Sequence, residues 1–208
     1  SHRLADTGSH FPLTQATFLP LNLHPLHCTV SQLNLSSNRL CGVWIEYGKR
    51  KGTYTSEGIK AIADALCVQG SLTSLSVANN AISGDEAQQL ALAVLNKATL
   101  EIFSGIPFKE LRAHSLTTLD LSGKGLGAPE AIVLADLLRS VSGSLTKILV
   151  GNNYLRDEGT TILCDALRES TVSKVEELDL SQNNIGPVGA KAVAALCAAR
   201  GSLTSVSL

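Results

Sequence analysis

A chain of 208 residues, 44% of them hydrophobic, is long enough to bury a full core, and one domain is the simplest reading. The net charge of −1 gives no reason to expect a nucleic-acid or membrane-surface partner, and no apolar run is long enough to span a bilayer. The five cysteines (Cys28, Cys41, Cys67, Cys164, Cys197) are odd in number and irregularly spaced, which argues against a disulfide framework and for a reducing, cytoplasmic setting. Ser1-His2-Arg3 leads into polar residues rather than an apolar secretory stretch, and the absence of methionine reads as a fragment or a processed product.

Residues 1–29 contain Pro12, Pro20 and Pro25 among apolar residues such as Phe11, Phe18 and Leu23, and are expected to form a non-repeat cap over the first strand. His24, His27 and Cys28 offer three soft ligands where zinc sites use four, so a polar loop is expected and no metal.

From residue 30 a spacing repeats. The pattern L-x-x-L-x-L-x-x-N-x-L fits Val30, Leu33, Leu35, Asn38 and Leu40. It returns at Leu72–Ile82 around Asn80, at Leu145–Leu155 around Asn153, and at Val175–Ile185 around Asn183. A copy at Leu116–Leu126 carries Lys124 in place of Asn, and a shortened one ends at Leu208. Alternation in the first half of each copy predicts a strand, and the Asn after it is expected to bond turn backbone that has lost its sheet partners. The period then changes to that of a helix. Ile62/Ala63/Leu66, Leu90/Ala91/Val94, Leu134/Ala135/Leu138, Leu163/Cys164/Leu167 and Val193/Ala194/Cys197 each share a predicted inward face. Ser83 and Asp85, Pro129-Glu130, Asp157-Glu158 and Pro187 read as helix starts. Gly70, Gly143 and Gly201 read as helix ends.

Two segments break the pattern. Between Leu40 and Gly58 lies extra chain at 41–56, holding Trp44, Tyr47 and Tyr54 around Lys49-Arg50-Lys51. Val43/Ile45/Tyr47 alternate on one side and Thr53/Thr55 on the other, which predicts a short hairpin with a basic tip. Trp, Tyr and Arg are residues that dominate interface energetics, so this segment is a candidate partner contact. The competing reading packs Trp44 and Tyr47 on the neighbouring copy. The second break, residues 100–115, is too short for a strand and a full helix, and a helix-less joint is expected, with Ile106, Phe108 and Leu111 filling the gap.

The units resemble the ribonuclease-inhibitor type of leucine-rich repeat, most clearly in LTSLSVANNAISGDEAQQLALAVL at 72–95 and VEELDLSQNNIGPVGAKAVAALC at 175–197. The same type occurs in the tails of NOD-like receptors and in large repeat proteins of protists and algae. The resemblance covers 30–208 and implies an α/β solenoid, a horseshoe arc with parallel strands on the concave face and helices on the convex face. Strands about 4.8 Å apart and helices about 8–10 Å apart would bend such a stack in that sense. It implies recognition of a protein and carries no catalytic residues.

No enzyme, cofactor or metal is therefore expected. Gly123-Lys124-Gly125-Leu126-Gly127 fails both phosphate-loop patterns, since Thr118 and Ala128 stand where glycines are needed. Cys41 is the one cysteine placed where reactivity could be suspected. The residues facing outward from the strands are mostly small and polar, with Lys147 and a mild acidic patch at Asp120, Glu177 and Asp179. The expected function is a protein–protein interaction module of a larger cytoplasmic protein, contacting its partner through Trp44, Tyr47, Lys49, Arg50, Lys51, Tyr54 and the strand face. The alternatives are a GTPase regulator of the Ran-GTPase-activator type and a structural spacer. The terminal strand at Leu208 has no cap, so either the natural chain continues or this one self-associates there.

Overall fold

The computed structural model describes residues 29–208 apart from 48 and 141–143. The proposed cap and the His24/His27/Cys28 cluster lie outside the described residues. In chain order the elements are β1 (Gln32–Asn34), β2 (Val43–Glu46), β3 (Lys49–Gly52), α1 (Glu57–Val68), β4 (Ser74–Ser76) and α2 (Asp85–Leu95). Next come β5 (Ile102–Phe103), β6 (Ile106–Pro107) and α3 (Phe108–Arg112), then β7 (Thr118–Asp120), α4 (Ala128–Ser140), β8 (Lys147–Leu149) and α5 (Arg156–Glu169). The series ends with β9 (Glu177–Asp179), α6 (Pro187–Ala199) and β10 (Ser205–Ser207).

The alternating apolar residues place the middle residue of β4, β7, β8 and β9 inward, whereas Leu33 of β1 is exposed. Leu75, Leu119, Ile148 and Leu178 are buried, while the residues beside them stay in contact with solvent. β1, β4 and β5 pair in parallel with β6 returning antiparallel, and β7, β8, β9 and β10 form a second, wholly parallel ladder. Behind the strands α1 packs on α2, α2 on α4, α4 on α5 and α5 on α6. One continuous apolar core runs between the two layers. The fold is thus mixed α/β with parallel strands.

The strand-to-helix turn is built the same way each time. The residue before the Asn position is left-handed in every complete copy: Ser37, Asn79, Gly123, Asn152 and Gln182 have φ between 54° and 66°. That bend aims carbonyls inward, where the Asn amide collects them. Asn153 Nδ2 donates to Leu121 O, Val150 O and Gly151 O at 2.9, 2.9 and 3.2 Å, and its Oδ1 accepts from Leu126 N at 3.0 Å. Asn183 repeats this toward Val150 O and Leu180 O, and Asn80 toward Leu35 O and Val77 O. Each buried amide therefore ties its own turn to the preceding one. Asn38, first in the series, is exposed, and its side-chain amide donates to Leu35 O and Ser36 O within its own turn.

The joint at 100–115 is not helix-less: Phe108–Arg112 forms one short helix. The segment starts as a strand on β4, then Ser104 and Gly105 turn it back before it reaches the height of an Asn turn. Phe103, Ile106, Phe108 and Leu111 are all buried. On the turn side the neighbouring copies therefore meet directly, Asn79 N donating to Gly125 O at 2.8 Å. Lys124 stands in this copy's Asn position, where the preceding segment has folded away. A Cβ built on Gly105 would lie 3.7 Å from Lys124 Cδ, so the lysine stem passes close by that turn.

Three further expectations are corrected. Ala194 and Cys197 are exposed, because α6 has no described helix beyond it, and Leu196 joins Val193 inside instead. Gly70 and Gly201 do not adopt a left-handed cap. At Gly70 the end of α1 is closed by Gln69, whose Oε1 accepts from Ser71 N and Leu72 N at 3.0 and 2.8 Å. Cys41, placed beside the hairpin, is fully buried rather than poised for reaction.

Candidate functional site

The insertion is a two-stranded antiparallel hairpin in which Trp44 faces Lys51 and Glu46 faces Lys49. Its turn lies after Glu46, at Tyr47, so the basic residues form the return strand and not a loop at the tip. Two of the aromatic residues anchor it. Trp44 is half-buried, with the Arg39 guanidinium 4.2 Å from its ring centroid, a cation–π contact. Its ring also lies against Gly52 (φ +83°), where a Cβ would come within 2.7 Å of Trp44 Cζ3. The Tyr54 hydroxyl reaches Glu86 Oε2 at 3.1 Å and Ser83 O at 3.2 Å. Burial, Cys41 and Glu86 all push its pKa up, so it holds its proton as a donor. The remaining residues are displayed. Tyr47 is 99% exposed, and Lys49 and Lys51 are exposed. Arg50 lies in β3 opposite Ile45.

The strand face carries less free charge than its sequence promises. Lys147 and Glu177 face each other on β8 and β9 and form an ion pair at 2.5 Å. Asp179 Oδ1 accepts from Ser181 N at 2.9 Å, and its other oxygen covers Gly151, where a Cβ would lie 2.8 Å away. Asp120 Oδ1 accepts from Ser122 N at 3.0 Å, and that bond holds its carboxyl below the usual range. These acids serve their own turns first.

A groove of about 570 Å³ runs along the strand-to-helix turns. Arg39 and Trp44 border one end, Tyr154, Arg156 and Glu158 the other. Between them the lining comes from Ala81, Ser83, Gly125 and Ala128. Sequence reasoning tracked the strand positions and missed this rim. Its signal was the residue just after each Asn position: Arg39, Ala81, Gly125, Tyr154 and Asn184, large at some copies and small between.

Carboxylates lock the rim from copy to copy, and they take the place of side-chain caps at the helix starts. Asp157 Oδ1 accepts from Gly186 N and Gly189 N of the next copy, at 2.7 and 2.8 Å. Glu158 Oε1 accepts from Gly84 N at 3.1 Å, reaching past the small residues before α4. Glu130 is fully enclosed. Its Oε2 accepts from Gly127 N at 2.9 Å, and its Oε1 accepts the Ser104 hydroxyl at 2.8 Å. Ser104 Oγ in turn accepts from Val77 N at 3.1 Å, a strand amide that β5 is too short to satisfy. Burial pushes the Glu130 pKa up against these bonds. Cys164, buried between helices, is likewise pushed up to about 12 and is inert at neutral pH.

Residues 173–194, the unit around β9 and the start of α6, match a family model described as a Leucine Rich repeat. The match supports a leucine-rich repeat family, whose motif is generally a protein-interaction module without enzymatic activity. No curated protein matches the chain. Among the described residues, no helix is long and apolar enough to cross a membrane.

Proposed function

We propose that this chain is a protein-binding module built from ribonuclease-inhibitor-type repeats, wound into an arc with strands lining the concave face. Its principal contact is the 43–55 hairpin, with the strand face as the supporting platform. The observation that carries this reading is the division of labour within the hairpin. Trp44 and Tyr54 are spent on fixing it to the rim, while Tyr47, Lys49 and Lys51 face solvent. A large ring held 99% exposed on a strand-pinned turn gives the packed core little. It is the kind of residue that becomes an interface anchor once a partner desolvates it.

The test is capture from lysate of the source cells by three immobilised proteins: the intact chain, one with residues 43–55 replaced by a short Gly-Ser turn, and Tyr47→Ala. A protein retained by the first and lost by the other two supports the reading. Equal retention by all three moves recognition to the strand face, and no retention by any sinks the module reading.

A further inference from the structure

We propose that the rim groove takes an acidic, extended peptide segment of the protein partner. This rests on the module reading above and adds the partner's chemistry at a second place. The first argument is charge. Arg39 and Arg156 stand at opposite ends of the groove, and among the described residues neither guanidinium is in an ion pair. The carboxylates in the same lining are engaged: Glu158 by Gly84 N, and Glu130 by Gly127 N and the Ser104 hydroxyl. The groove therefore offers two guanidinium groups outside any ion pair at its ends, Arg39 with one face on Trp44, while its carboxylates already accept hydrogen bonds from the protein. A guanidinium pairs best with a planar carboxylate, which it binds through two parallel N–H groups.

The second argument is shape. Ala81, Ser83, Gly125 and Ala128 leave the floor open to close approach by a backbone, and the rings of Trp44 and Tyr154 border the ends. From Arg39 to Tyr154 the rim takes three steps. The turns are linked successively by Ser37 N to Ala78 O, Asn79 N to Gly125 O, and Tyr154 N to Leu126 O. Each step spans about 4.8 Å at the strand layer and about 9 Å at the helix layer, so the groove is roughly 15–25 Å long. An extended peptide covers that in about five to eight residues at 3.3 Å each. Carboxylates near its two ends would meet Arg39 and Arg156. A nucleic-acid strand fits less well, because the lining has no cation between Arg39 and Arg156 for evenly spaced phosphates.

The experiment is fluorescence anisotropy with the full chain and a fluorescein-labelled octapeptide of alternating Glu and Leu. The same peptide with Lys for Glu and a thymidine octanucleotide are the comparison probes. The expected result is saturable binding of the Glu peptide alone. Arg39→Ala and Arg156→Ala should each weaken it about tenfold, the order of one charge-assisted pair. Lys191→Ala, exposed on α6 and outside the groove, should leave it unchanged. Since Arg39 also covers Trp44, Arg156→Glu and Ser83→Trp, both at exposed positions, serve as variants that leave that stack intact; each should abolish binding. Equal binding of the Lys peptide or the oligonucleotide, indifference to the arginine variants, or no binding of the Glu peptide would each overturn the groove assignment. If the hairpin still captures a protein in that case, the module reading stands and only this inference falls.

Discussion

The stretch from β7 to β10 and the stretch from β1 to α3 use one template and solve it differently. In the later stretch every strand pairs in parallel with its neighbour, and the fourth residue before the inward Leu163 or Val193 is glycine. Gly159 packs so closely that a Cβ would sit 3.2 Å from Ala131 Cβ, and at Gly189 one would sit 2.9 Å from Asp157 Oδ1. In the units that follow the two irregular ones, the corresponding positions are Glu86 and Glu130. Each reaches back to the irregularity before it, Glu86 to Tyr54 of the insertion and Glu130 to Ser104 of the joint. Where the preceding unit is regular, the slot closes to glycine. Where it is not, a long polar side chain spans the extra room.

The comparison can be broken most severely by transplanting one solution into the other. Gly159→Glu would force a carboxylate into an interior already filled by Ala131 and Leu155, a loss of about 4 kcal/mol or more, read as a large drop in urea midpoint. A fall below about 1 kcal/mol would show that the slot is not closed. Asn153→Ala removes an amide serving three carbonyls and one N–H, and should cost about 3 kcal/mol, whereas Asn38→Ala, exposed and bonded only locally, should cost below about 1 kcal/mol. Equal losses would refute the copy-to-copy role of the buried amides.

Glu130 sharpens the comparison through pH. The unfolded side chain loses its proton near 4.5 and the folded one only at higher pH. Between the two the folded state holds a proton that the unfolded state lacks, so stability falls as pH rises through that window. Glu130→Gln should therefore gain on the wild type as pH climbs from 4.5, measured as the difference in melting temperature across about pH 4–8. A difference independent of pH would contradict the burial argument. Glu130→Ala, which strips partners from Ser104 and Gly127, should cost about 2 kcal/mol. Tyr54→Phe should cost about 1 kcal/mol and loosen only the hairpin. The smallest effect belongs to the regular stretch: Lys147→Ala breaks a half-exposed ion pair and should change stability by below about 0.5 kcal/mol.

Much of the secondary structure was legible because it is local. Leu75, Ile148 and Leu178 point inward by alternation, and Leu90, Ala91 and Val94 by helical period, and all are buried. The buried asparagines were legible too, since a polar residue fixed in an apolar spacing must answer backbone. What escaped depends on relations between copies. Nothing around Glu130 announces that Ser104, on a different segment, will meet it. Cys197 shares the helical face of Leu167 in sequence, yet among the described residues no helix covers it. On the strand face, Asp120, Glu177 and Asp179 read as a patch from their types, but their partners Ser122, Lys147 and Ser181 spend that charge locally. The hairpin's turn was displaced for a similar reason: pairing of Trp44 with Lys51 and of Glu46 with Lys49 decides the register and draws the basic run into the return strand.

The early turn at Ser104 has a consequence for how the molecule comes apart. In a stack where each unit touches only its neighbours, unfolding cooperativity is passed along nearest-neighbour interfaces. At the joint no strand ladder crosses from β6 to β7, and α2 meets α4 less extensively than α4 meets α5. The links that remain there are that helix contact, the Asn79–Gly125 turn amide, the Gly84–Glu158 bond and the Ser104–Glu130 bond. Amides in β7–β9 are thus set to exchange with solvent as one group and those in β1–β4 as another. Mild denaturant would draw two transitions from a chain that carries a single unbroken core.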